Sequence, residues 1–186
     1  MNTTQNIPQN LRCLLWRSGV SQDQWPAQLA QWCACDVARA TAMLQGQEEL
    51  TEPETEAVAT ATGVQTKEWL SGNLLDGVDV LTENLKFLLD SLEHGGKNRL
   101  ADSLGVTPGT VYKWCGGFQP PKKRHSQAIL AFFGLDPLLD LTTQALFLSM
   151  EPIGSRAKRE WLMSRLKGID EQALEAYFPA LKKILD

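Results

Sequence analysis

No uninterrupted apolar run in the 186 residues approaches the roughly 20 needed to cross a bilayer, so no membrane partner is expected. Histidine is scarce. His94 stands in a glycine turn and His125 in a basic segment, neither beside a plausible nucleophile. A glycine-rich phosphate loop and metal-ligand spacing are also missing, so neither an enzyme nor a cofactor-binding protein is expected. The four cysteines match no zinc pattern. The first six residues lack a basic stretch followed by an apolar one; we therefore expect no secretory signal and a cytoplasmic protein.

What the chain does have is a pattern written twice. Leu29-Ala30 returns as Leu100-Ala101, Gly46 as Gly117, Ala57 as Ala128 and Gly63-Val64 as Gly134-Leu135, always 71 positions apart. Such a repeat restricts the possible architectures and makes each copy a control for the other. It bears at once on the cysteines: Cys33 stands where the other copy has Leu104, Cys35 where it has Val106, and Cys115 where it has Leu44. Near the start of the copies, Asn10 to Leu15 matches Asn84 to Leu89, which puts Cys13 in the slot of Phe87. All four thiols thus take apolar slots, where cysteine acts as a small hydrophobe.

Periodicity makes both copies helical. In the second, Leu85, Leu88, Leu89 and Leu92 form one stripe that ends at His94-Gly95-Gly96. A short helix over 97–104 follows, with Leu100, Ala101 and Leu104 inward, then a tight turn at Gly105-Val106-Thr107. Thr107 is a good N-cap and Pro108 a good first residue for a helix over 108–115 that turns Val111 and Trp114 to the core. A loop through Phe118 leads to a further helix over 124–133, stopped by Gly134. The first copy follows with Asp36 in place of the capping threonine and Ala40 and Met43 in place of Val111 and Trp114. Its last long helix is expected over 51–62, with Trp69 and Leu70 beyond it.

The order helix, short helix, turn, capped helix, loop, helix, carried chiefly by the segment from Arg99 to Gly117, resembles the lambda repressor-like (Cro/C1-type) helix-turn-helix family. The likeness covers residues 84–135 well and 10–70 loosely. It implies an all-α fold of tandem helix-turn-helix units with a C-terminal helical extension. We delimit an acidic, degenerate unit over 1–77, a basic unit over 78–137 and a helical region over 138–186.

Charge separates the copies. Residues 95–125 hold six basic residues against Asp102 alone, a net +5, whereas residues 24–54 hold Arg39 against five carboxylates, a net −4. DNA affinity depends on neutralising phosphates, so the second unit is the expected reader of double-stranded DNA. With Val111 and Trp114 inward, Gly109, Thr110, Tyr112 and Lys113 should face outward, toward bases. Lys113 suits guanine O6 and N7, and a threonine suits either base type. Lys97 stands where the resembled family often carries a phosphate-gripping glutamine. Arg99, Thr107, Lys122, Lys123 and Arg124 complete the expected DNA-contacting set, the last three at a helix start where N–H groups can also face a phosphate. Pro108 and Gly109 supply no side-chain donor, so the expectation is a modest specificity or one that leans on DNA shape.

The bland readings stay open beside these: a solvated basic face for Lys122 to Arg124, and Tyr112 packed over the turn. Residues 138–186 balance seven basic against seven acidic residues, with Ser155 expected to cap a helix that runs to Lys167. They form either a cover for the second unit or, as we favour, a homodimer interface. The expectation is a DNA-binding transcription regulator of bacterial or phage type, acting as a repressor. Its rival is an antitoxin-like or adaptor module, favoured by the acidic first unit, which would hold a protein partner.

Overall fold

A computed structural model describes residues 6–92 and 94–185, and among them there are helices and turns but no strand: the fold is all-α. No helix is long and apolar enough to cross a membrane among the described residues. Eleven helices are described in chain order: α1 Ile7–Arg17, α2 Trp25–Cys33, α3 Val37–Gln45, α4 Glu52–Thr62, α5 Thr66–Ser71, α6 Val80–Asp90, α7 Gly96–Leu104, α8 Pro108–Cys115, α9 Lys123–Phe133, α10 Gly154–Lys167 and α11 Glu171–Leu185. The chain divides into two compact units, one formed by Met1–Asn84 with Thr142–Met150 and the other by Leu85–Leu141 with Glu151–Asp186.

The first unit buries Leu11, Leu14 and Leu15 of α1, Leu29 of α2, Met43 and Leu44 of α3 and Val58 of α4, with Trp25 and Trp69 wholly out of water. Asn10 sits in the middle of this core. Its Nδ2 donates to the carbonyls of Trp69 (2.6 Å) and Gly72 (2.8 Å), and its Oδ1 accepts from the Leu74 N–H at 3.1 Å. The amide therefore clasps the chain as it leaves α5, and the guanidinium of Arg17 adds a bond to the Leu74 carbonyl at 2.6 Å.

Asn84, the counterpart of Asn10, repeats the device within the same unit. Its Nδ2 donates to the Gln144 carbonyl at 2.7 Å and its Oδ1 accepts from the N–H groups of Leu146 (2.7 Å) and Phe147 (3.3 Å). The segment so held, with a 3-10 turn at Leu146–Leu148, lays Phe147 against Trp16 at 4.8 Å between ring centroids. This differs from the sequence expectation, which gives the apolar run after residue 138 to the C-terminal region. Leu138 is 90% exposed, whereas Leu146, Phe147 and Leu148 are buried in the first unit. An apolar run does not reveal which core it joins; a buried amide, whose polar atoms must be matched, decides it.

The second unit packs Leu85, Leu88 and Leu89 of α6, Leu100 and Ala101 of α7, Val111 and Trp114 of α8, and Ile129 and Leu130 of α9. Between α7 and α8 the backbone passes through the left-handed region at Gly105 (φ +63°), and Thr107 then caps α8 by accepting from the Thr110 N–H. The same turn in the first unit places Ala34 at φ +50°, while Asp36 caps α3 through the Arg39 N–H at 2.8 Å. The first copy thus makes the turn with a residue that adopts it less readily than glycine. Further on, α10 begins at Gly154 (φ +83°), where an added Cβ would lie 2.5 Å from the Phe133 carbonyl oxygen. Ile153 precedes it as N-cap, so Ser155, expected to cap, falls inside the helix because the glycine turn has already started it.

Two outcomes are expected from urea unfolding. Asn10→Ala and Asn84→Ala should each lower stability by about 2–4 kcal/mol, since each strands several buried backbone groups; a loss below about 1 kcal/mol would refute the clasp. Ala34→Gly should raise stability by about 1 kcal/mol and Gly105→Ala lower it comparably.

Candidate nucleic-acid interface

The second unit's cationic residues come from three helices. On α7, Arg99 is exposed and Lys97 is partly covered, its Nζ 3.7 Å from Asp90 and 5.9 Å from the centre of the Tyr112 ring. Asp90 on α6 lies outside the expected set, and it holds the lysine over α8. Tyr112 is 59% exposed, so it both carries this cation and faces solvent.

On α8, Lys113 and Gly109 are exposed as expected, while Thr110 is only half exposed. The reason lies in the cap: the Thr107 and Thr110 hydroxyls lie 3.0 Å apart, and the Thr110 N–H donates to Thr107 Oγ1 at 3.3 Å. Thr107 is therefore engaged in starting the helix. Val111 and Trp114 are turned inward at 3% exposure each.

Lys122, Lys123 and Arg124 are exposed around the first turn of α9, which has no side-chain cap. Arg124 Nε donates to His125 Nε2 at 3.2 Å, and the His125 ring lies 5.2 Å from that of Trp114, linking the start of α9 to α8. Three cations at a helix N-terminus oppose the helix dipole, which favours negative charge there. None of Arg99, Lys113, Lys122 and Lys123 enters an ion pair among the described residues. In the loop between α8 and α9, Phe118 is 84% exposed, an aromatic that the sequence places only in a loop. Its one signal is its place between Gly116-Gly117 and Pro120-Pro121.

The equivalent surface of the first unit is closed on itself. Arg39, which aligns with Thr110, grips Glu54 with two bonds, Nε to Oε1 at 2.8 Å and Nη2 to Oε2 at 2.9 Å. It also donates to the Glu48 carboxylate and to the Glu49 carbonyl. Glu54 meanwhile accepts from the Thr51 N–H at 2.8 Å, capping α4. Where α9 has cations and no cap, α4 therefore supplies its own carboxylate. The Arg39 hydrogen bonds hold the Glu54 carboxyl at about 2, well below its ordinary value, with Thr51 helping against the opposing effect of burial. Arg39 is raised in turn, first by the bond to Glu54.

Near this network a cavity of about 660 Å³ opens between an apolar floor, including Ile7, Met43 and Leu70, and carboxylates including Glu49 and Glu56. The thiols are free, and burial pushes both Cys33 and Cys115 up to about 11, away from the reactive thiolate. Among the described residues no three His, Cys, Asp or Glu side chains gather as metal ligands. No family model, characterised protein or solved structure matches this chain.

Because Glu54 is depressed below its unfolded value, its contribution to stability is present above about pH 4.5 and lost as the pH falls toward about 2. Glu54→Gln should cost about 2 kcal/mol at neutral pH and flatten this acid limb, measured by urea unfolding from pH 7 down to 3. An unchanged acid limb in the variant would contradict the assignment.

Proposed function

We propose that the chain is a DNA-binding transcription regulator, a repressor of bacterial or phage type, that reads double-stranded DNA with the second of two helix-turn-helix units. The observation carrying this reading is the uncapped start of α9, where three exposed cations stand with no carboxylate to answer them among the described residues. A backbone phosphate would satisfy both the free N–H groups and the side chains. α8 is then the reading helix, with Lys113 and Tyr112 toward the groove and Lys97 beside them. Arg99 adds a phosphate contact. The protein acts as a homodimer on paired half-sites.

The first unit, in this reading, does not touch DNA. Its one cation in the window is consumed by Glu54 and Glu48, and its surface is acidic. The carboxylate-edged cavity favours a second role for it as a docking surface, with the adaptor reading as the extreme case in which DNA contact is minor.

Binding to a random duplex, followed by fluorescence anisotropy across a salt series, separates these. We expect steep weakening with salt, a loss of about one from the log–log slope for each of Lys122→Ala and Lys123→Ala, and at least about tenfold weaker binding for Lys113→Glu. Arg39→Gln should leave affinity within about twofold. Salt-independent binding, or a larger effect at Arg39 than at Lys113, would overturn the DNA reading and leave the adaptor.

A further inference from the structure

Helices α10 and α11 belong to the second unit, yet their apolar side chains are largely uncovered: Trp161, Leu162, Met163, Leu174, Tyr177 and Phe178 all stand among the exposed large hydrophobics. A 15-residue helix with an uncovered apolar face is marginal in water. On α11 this face is a stripe. Leu174 and Phe178, which are exposed, and Leu181, which is half-buried, recur at i, i+4 and i+7, the spacing of a helix–helix seam. Pro179, one residue past Phe178, falls on the far side of that stripe, so its ring stays out of the seam.

The charges flanking the stripe indicate what covers it. Glu175 and Lys182 are seven residues apart, so they occupy the same flank of the seam, one following Leu174 and the other following Leu181. Both are exposed, and neither is in an ion pair among the described residues. In a parallel pair of identical helices this flank meets the opposite flank of the neighbour, the one that carries Tyr177, and the two charges find no counterpart in each other. In an antiparallel pair like flanks meet. Each glutamate then faces a lysine, twice, about a two-fold axis.

We propose that α11 pairs antiparallel with α11 of a second copy, with Glu175 of each chain against Lys182 of the other and Leu174, Phe178 and Leu181 forming the seam. This rests on the dimeric reading given above and gives it a surface, an orientation and a closed, isologous symmetry.

Sedimentation equilibrium on the full chain tests it. The wild type should be a dimer; Glu175→Lys and Lys182→Glu should each weaken it about tenfold, because two attractive contacts become repulsive. The double swap should restore affinity to within about threefold. Mixing the two single variants should give a heterodimer tighter than either homodimer, since both contacts between the two different chains again join opposite charges. A monomeric wild type, single variants that dimerise unchanged, or a mixture no tighter than its components would each overturn the proposal, the last by excluding the antiparallel orientation. Random-duplex binding by the same variants keeps the two readings apart: an intact salt slope in a chain that fails to dimerise removes the pairing and leaves the DNA surface standing.

Discussion

Two asparagine amides withdrawn from water, Asn10 and Asn84, govern how this chain closes on itself. An amide in an apolar core must find partners for both of its ends, and only backbone groups at the right separation can supply them. Asn10 meets its partners 59 to 64 residues downstream and Asn84 meets its own 60 to 63 downstream. The near-equal spans set where each returning stretch of chain must lie. Trp69 in one case and Phe147 in the other are delivered to the core as a result. Hydrophobic burial supplies most of the driving force, but it tolerates sliding; the amides fix the register.

On this shared frame the copies have solved one electrostatic problem in opposite ways. Every helix start exposes N–H groups that favour an anion. In α4 the anion is internal: Glu54 caps the helix and neutralises Arg39 in the same geometry. In α9 the corresponding residue is His125, and the surroundings are Lys122, Lys123 and Arg124. In the first copy the cation and the cap answer each other, whereas the start of α9 carries three cations with no carboxylate paired to them among the described residues. Ala34 and Gly105 make the same left-handed turn, at a cost in the first copy that glycine avoids in the second.

Much of this is legible in the residues. The repeat, the glycine and threonine punctuation of α7 and α8, and the inward pair Val111 and Trp114 follow from spacing and capping chemistry, which act over a few residues. The all-helical fold follows from the same signals. What escapes is set at long range. Nothing near Leu146 says that Asn84 will hold it, nothing near Lys97 says that Asp90 will approach it, and Arg39 reads as a free cation until Glu48 of the loop and Glu54 of α4 fold back onto it. The half-covered state of Thr110 is hidden for a different reason: periodicity gives the face of a helix but not which hydroxyl its own cap will engage.

The course of the chain carries a last implication. It passes from the first body to the second after Asn84, returns at Thr142 and leaves again after Met150. No single scission can release either body whole, because the stretch lodging Phe147 reaches its seat only by way of the other's helices. A fragment ending at Asn84 therefore lacks a piece of its own core, and one starting at Leu85 carries a piece of the other's.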